Sequence, residues 1–200
     1  MSKSFTLYLG EDPKTQLKLM KTLLESDKHT KDTLSNVYYT LGVFALRSPQ
    51  FDHEYFDVIT KGLQSDKNNG NSLKWAYEAF GSIVLHHPNL DPALADVIFY
   101  EFGSRLLSDK NDSNSLSQAY AVLKNIAQTK PAFAKQSLDV LEKGLQSKNN
   151  NDDSLKGAYY ALEGIVQAEP TLTKQVNNIK AGLESNNNLI AILKQRQTTK

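Results

Sequence analysis

Few side chains in this chain of 200 residues are placed to do chemistry. His86 and His87 are adjacent and could bind a metal, but no third ligand is suggested near them. We expect the imidazoles to bond the last carbonyl groups of a helix instead. The sequence contains no cysteine, which excludes disulfides, zinc-thiolate sites and cysteine nucleophiles. We therefore predict that the protein is not an enzyme and carries neither a metal nor a cofactor.

Two polar loops have oxygen-bearing side chains in an order faintly similar to a calcium loop. They are DKNNG from Asp66 and DKNDS from Asp109. A calcium loop of this type needs glycine at the sixth position and glutamate at the twelfth, and both are missing. We interpret these segments as solvated linkers.

Four tyrosines recur along the chain and could form a ladder on which bases or sugars stack. Each of them, however, lies inside an apolar stripe with helical spacing. We predict that they are core residues whose hydroxyls reach a rim or backbone group. The four are Tyr38, Tyr77, Tyr120 and Tyr159.

Trp75 is the only tryptophan, and it lies outside the apolar stripe. Two interpretations remain open for it. The indole either packs against a neighbouring repeat or contacts a partner. Tyr39 and Tyr160 share this ambiguity, since each directly follows a tyrosine of the stripe.

The tyrosines belong to a repeat that starts with Ser or Thr. Leu follows one residue later, Tyr five residues later and Pro sixteen residues later. Its copies begin 39, 43 and 39 residues apart, a period typical of stacked helical pairs. Each copy predicts a first helix with Asn or Asp just before its Ser or Thr as a cap, and a second helix after the Pro. The copies are residues 33–49, 72–88, 115–131 and 154–170.

The pattern predicts an all-α fold in one domain, an α-α superhelix (solenoid) of four helical-pair repeats with caps at both ends. Glycines near the end of the second helices suggest either close approach of a neighbouring helix or fraying. The predicted segments are an extended arm 1–12, an N-terminal cap helix 13–32, repeats 33–71, 72–114, 115–153 and 154–187, and a C-terminal cap 188–200. The predicted helices are 13–25, 33–47, 50–64, 72–87, 91–107, 115–130, 132–146, 154–168, 171–184 and 188–196.

Helical pairs of about 39 residues with a proline between the helices resemble HEAT and armadillo-like repeats over residues 13–185. The spacing of Ala119, Leu123, Ile126 and Pro131 is also similar to the end of a tetratricopeptide repeat, whose period of 34 residues is shorter. The HEAT-like resemblance implies a superhelix that binds partners on a concave surface made by its second helices. It implies a role for no individual residue.

The outward positions of the second helices are therefore the candidate binding site. Most carry charged side chains, but the helix of the second repeat, which has four extra residues, places an aromatic and a β-branched residue there. Interface centres favour such anchors. Alternatively, the extra turn buries these two side chains, and the docking site lies at the tryptophan. The candidate partner-binding residues are Tyr100, Val97, Asp57, Lys61, Asp139, Lys143 and Trp75.

Composition narrows the class of function. The net charge is +1, and Lys outnumbers Arg by 20 to 3, which disfavours sequence-specific nucleic-acid recognition. No apolar run is long enough to cross a membrane and no signal peptide is evident, so we expect a soluble, cytoplasmic protein. We predict a non-enzymatic scaffold for protein-protein interaction that binds a protein or peptide. The alternatives are a helical-repeat protein that handles nucleic acid and a structural unit that self-assembles as a homo-oligomer.

Overall fold

The computed structural model describes residues 12–25, 29–48, 50, 52–87 and 90–184. Over these ranges the chain forms nine α-helices and short 3-10 turns, with no strand, which confirms the all-α prediction. The predicted C-terminal cap 188–200 and, apart from Asp12, the predicted arm lie outside the described residues. The helices are α1 Pro13–Glu25, α2 Lys31–Arg47, α3 Asp52–Leu63, α4 Gly70–His86, α5 Pro92–Leu106, α6 Ser113–Thr129, α7 Ala134–Gly144, α8 Asp152–Ala168 and α9 Thr173–Glu184; the 3-10 turns Pro131–Phe133 and Pro170–Leu172 precede α7 and α9.

The first helix of each repeat begins two residues earlier than predicted. The prediction placed the capping side chain directly before the repeated Ser or Thr. Instead, Asn69 caps α4 by accepting a 3.0 Å hydrogen bond from the backbone N–H of Ser72, whose hydroxyl accepts one of 2.9 Å from the N–H of Asn69. This reciprocal pair is a capping box, which satisfies two N–H groups that would otherwise lack partners. The caps of α2, α6 and α8 are Thr30, Asp112 and Asn151, each bonded in the same way to the Ser or Thr three residues on.

The helices pack in two series. The first helices of the repeats, α2, α4, α6 and α8, contact one another in chain order, and we call them the first layer. The helices α1, α3, α5 and α7 do the same and form the second layer. From α2 to α9, each first-layer helix also contacts the odd-numbered helix that follows it. This packing is compatible with a helical-repeat architecture.

The core lies between these layers and is rich in aromatic rings. Tyr38, Tyr77 and Tyr120 are fully buried, which confirms three of the four predicted core tyrosines. The ring of Tyr77 stacks on that of Phe102 at 4.9 Å between centroids. Tyr159, on α8, is only partly buried.

The loops that join the repeats contain a polar element that the sequence interpretation missed. Oδ1 of Asn68 accepts hydrogen bonds from the hydroxyls of Tyr38, at 3.3 Å, and Ser72, at 3.0 Å. The amide nitrogen of Asn68 donates to the carbonyl oxygens of Gly62 and Ser65, both at 2.9 Å. One side chain thus joins the end of α3, the middle of α2 and the start of α4. We call Asn68 and its equivalents, Asn111 and Asn150, the asparagine bridges.

The prediction that these loops are solvated linkers was therefore wrong for Asn68 and Asn111. Asn68 is 5% exposed and Asn111 is 6% exposed, whereas the neighbouring Asp66 and Asp109 are exposed. A buried amide is stable only when its donors and acceptors are satisfied, and each bridge satisfies both.

Glycines near the ends of α3 and α7 make room for the same tyrosines. A Cβ on Gly62 would lie 2.7 Å from the hydroxyl oxygen of Tyr38. A Cβ on Gly144 would lie 2.9 Å from Cε1 of Tyr120. Close approach, rather than fraying, explains these two residues.

None of the nine described helices has both the length and the apolar character that a membrane span requires.

Candidate functional site

Helix α5 presents two large apolar side chains to solvent. Its N-cap, Asp91, accepts a 3.0 Å hydrogen bond from the N–H of Ala93. One face of the helix is buried in the core, whereas Val97 and Tyr100 on the other face are 49% and 69% exposed. The alternative in which the longer helix buries these residues is therefore wrong.

Tyr100 borders a groove of about 240 Å³ between α5 and α7, which we call the α5–α7 groove. Gly103 allows the two helices to approach, because a Cβ there would lie 3.3 Å from Cδ of Lys143 and 3.6 Å from a methyl of Val140. The groove is lined by Asp96, Phe99, Tyr100 and Gly103 of α5 and by Gln136, Asp139, Val140 and Lys143 of α7.

Charged groups surround the aromatic ring in this groove. Nζ of Lys143 lies 5.6 Å from the centroid of the Tyr100 ring, within the range of a cation-π contact. Asp139 forms an ion pair with Lys135 one turn earlier on α7, and both side chains are about half exposed. The groove therefore combines an apolar floor with a rim that carries both signs of charge.

The structure separates the remaining predicted residues from this groove. Lys61 on α3 forms an ion pair with Glu25 of α1, and its hydrogen bond and charge lower the pKa of the Glu25 carboxyl. Asp57, on the same helix, is exposed. Of the seven candidates, Tyr100, Asp139 and Lys143 line the α5–α7 groove, and Val97 lies on the exposed face of α5 beside it.

Trp75 lies in the other layer and packs against the neighbouring repeat. Its indole is half buried on α4 and meets the ring of Tyr39 from α2 edge-on, with centroids 5.1 Å apart and planes at 78°. This geometry favours the first interpretation of Trp75. Tyr39 itself is 48% exposed, so the pair still reaches the surface.

Sequence analysis missed the other five groove residues, namely Asp96, Phe99, Gly103, Gln136 and Val140. These residues line the groove because α5 and α7 are neighbours in the second layer, which the sequence alone does not reveal. The glycine at 103 was the one available signal, because a glycine in a helix interior often marks a close approach.

His86 and His87 lie at the end of α4. Nδ1 of His86 donates a 2.9 Å hydrogen bond to the carbonyl oxygen of Ser82, one turn earlier on α4 and before its last four carbonyl groups. Burial and the nearby charge of Lys130 lower the pKa of His87. Among the described residues, no group of three or more His, Cys, Asp or Glu side chains is close enough to hold a metal ion.

No protein-family model, curated protein or solved structure matches this chain.

Proposed function

We propose that this protein is a non-enzymatic scaffold that binds a protein or peptide partner in the cytoplasm, and that its helical pairs form a HEAT-like α-α superhelix. The observation that carries the proposal is the α5–α7 groove, with Tyr100 69% exposed at its edge. Burying the large apolar surface of an aromatic ring is favourable, so a partner that covers the ring gains binding free energy.

The shape and chemistry of the groove favour a peptide over a small molecule. Sites for small molecules are concave and typically have volumes of roughly 300 to 1,000 Å³. This groove holds about 240 Å³ and is open, which suits one or two side chains of an extended or helical segment. Asp96, Asp139 and Lys143 at its rim can pair with polar groups around an apolar anchor, as in other interfaces.

Asparagine bridges hold the ends of both helices that form the groove. Asn111 donates from its amide nitrogen to the carbonyl oxygen of Arg105 at 2.7 Å, which secures the end of α5. Asn150 donates to the carbonyl oxygen of Gly144 at 2.9 Å and does the same for α7. A surface that is already ordered loses less conformational entropy on binding.

The test compares two exposed tyrosines that lie in different layers. Proteins captured from the native cell by the wild-type chain, by Tyr100→Ala and by Tyr39→Ala are identified by mass spectrometry. A partner that the wild-type chain captures is then purified and titrated by calorimetry against all three chains. We expect Tyr100→Ala to weaken the binding of this partner by at least about 1 kcal/mol, or roughly fivefold. Unchanged binding, with the fold confirmed by circular dichroism, would contradict the proposal.

The second candidate function is self-assembly, and the exposed apolar side chains of α5 favour it. Leu107, at the C-cap of α5, is 44% exposed and adds to the surface of Val97 and Tyr100. Light scattering at two concentrations distinguishes the two functions. A mass that rises with concentration and returns to that of the monomer in Tyr100→Ala supports self-assembly.

A further inference from the structure

A second groove lies between α2 and α4 in the first layer, away from the α5–α7 groove, and has a volume of about 150 Å³. Two of its residues are large apolar side chains that are half exposed, Tyr39 at 48% and Leu46 at 50%. We call it the α2–α4 groove. Its other main lining residues are Val43, Trp75, Glu78 and Ser82.

Glu78 gives this groove a negative charge. Its side chain is half buried, and Oε1 accepts a hydrogen bond from Nε2 of Gln118 on α6. Gln118 is neutral, and none of the ion pairs found among the described residues involves Glu78. Burial raises the pKa of this carboxyl, and the charge of Lys74 lowers it by a smaller amount. A cationic ligand would balance the carboxylate more directly.

The aromatic pair beside Glu78 is also suited to a cation. Glu78 follows Trp75 by three residues on α4, a spacing that places both side chains on one face of the helix. Nζ of Lys74 already lies 5.3 Å from the centroid of the Trp75 ring. The perpendicular ring of Tyr39 extends the aromatic surface toward solvent.

We propose that the α2–α4 groove binds an arginine side chain of a basic peptide. The guanidinium lies against the Tyr39 and Trp75 rings and donates to the carboxylate of Glu78, while its aliphatic stem and the flanking peptide residues cover Val43 and Leu46. Arginine fits better than lysine because its planar group can stack on a ring and donate two parallel hydrogen bonds to a carboxylate. The site is independent of the proposed function, which concerns the other layer.

The single tryptophan makes this groove directly observable, because all indole fluorescence of the chain comes from Trp75. The full chain is titrated with the acetylated and amidated peptide Leu-Arg-Leu, and with the same peptide carrying citrulline, the neutral isostere of arginine. Calorimetry measures the affinity, and fluorescence reports whether the groove is occupied. We expect a saturable fluorescence change with the arginine peptide and at least about tenfold weaker binding of the citrulline peptide, which is about 1.4 kcal/mol.

Three variants complete the test. Glu78→Gln keeps the size of the side chain and an acceptor for Gln118. We expect this variant to bind the arginine peptide at least about tenfold more weakly than the wild type. Lys74→Met removes a competing cation and should tighten binding. Lys148→Met removes an exposed cation from the loop after α7 and should leave the affinity unchanged.

The proposal is overturned if the citrulline peptide binds equally well, or if binding occurs without a change in Trp75 fluorescence. It is also overturned if calorimetry detects no binding up to about 10 mM peptide, or if Glu78→Gln, folded by circular dichroism, binds like the wild type. Should Glu78→Gln fail to fold, Lys74→Met decides, because unchanged or weaker binding of that variant excludes a cation site at this ring.

Discussion

The hydroxyl of Tyr77 on α4 donates a 2.9 Å hydrogen bond to Oδ1 of Asn111, which lies in the loop before α6. The same oxygen accepts from the hydroxyl of Ser115, and the amide nitrogen donates to the carbonyl oxygens of Arg105 and Leu106. Asn111 therefore connects the end of one repeat with the core and with the start of the next. This one amide therefore links two adjacent repeats.

Replacing Asn111 should destabilise the folded protein. We expect Asn111→Ala to lower the free energy of unfolding by about 2 to 3 kcal/mol, because it leaves buried polar groups of Tyr77, Ser115 and the end of α5 without their partner. The midpoint of urea unfolding, followed by circular dichroism, measures the change. Asn114→Ala removes an exposed asparagine of α6 and should stay within about 0.5 kcal/mol. Equal shifts for the two variants would show that the asparagine bridge adds little.

Two glycines in second helices should respond in opposite directions to alanine. In Gly144→Ala the new methyl would lie 2.8 Å from Cδ1 of Leu106 and 2.9 Å from Cε1 of Tyr120, so we expect a loss of about 1 to 3 kcal/mol. In Gly182→Ala the methyl meets no atom within 4 Å beyond its chain neighbours and the nearby backbone of its own helix, and the helix preference of alanine should add up to about 1 kcal/mol. Thermal unfolding of both variants checks the two signs. A stabilised Gly144→Ala would contradict the close packing described here.

Tyr120 and Tyr39 both lie on first-layer helices but differ in burial. We expect Tyr120→Ala to cost about 3 to 5 kcal/mol, because Tyr120 is fully buried, and Tyr39→Ala to cost within about 1 kcal/mol, because Tyr39 is 48% exposed. Urea midpoints of the two variants give the comparison. Similar values would mean that the buried face of α2 or α6 is misassigned.

The buried tyrosines should make the fold sensitive to alkali. Burial raises the pKa of Tyr38, Tyr77 and Tyr120 well above the ordinary value of about 10. Below pH 10 both folded and unfolded chains keep the hydroxyls protonated, so stability does not depend on them there. Above about pH 10 only the unfolded chain ionises, and stability falls as the pH rises toward the folded pKa.

Comparing urea midpoints at pH 8 and pH 11 tests this expectation. Tyr77→Phe removes one of the three groups and should show a smaller decline between the two pH values than the wild type. Tyr39→Phe changes an exposed hydroxyl and serves as the control. An identical decline in all three chains would show that other groups set the alkaline limit.

Much of the helical framework could be predicted because each element has a local signature. The apolar stripe that contains Leu116, Tyr120 and Leu123 defines α6, and Pro131 marks the change to the next helix. The start of α6 was misplaced by two residues, because the capping partner of Ser115 is Asp112 and not its direct neighbour Asn114. When two polar side chains lie near the same N–H groups, the sequence alone does not decide which of them caps the helix.

The candidate site could be predicted only in part. The exposure of Tyr100 follows from its position opposite the buried stripe of α5, but the groove beside it also needs Val140 and Lys143 from α7, 40 or more residues later in the sequence. Likewise, Trp75 stood out by its type, whereas its contact with Tyr39 and its place beside Glu78 in a groove depend on how α2 packs on α4.

The sequence by itself determined the helical repeat, the spacing of the core tyrosines and the scarcity of reactive side chains, because helical periodicity and residue type are local properties. Tertiary structure alone decided that Asn68 and Asn111 are buried connectors, that Lys61 pairs with Glu25, and that two separate grooves reach the surface. The physical reason is that a hydrogen bond, an ion pair or a groove requires two groups at a defined distance, and packing brings together groups that are far apart along the chain.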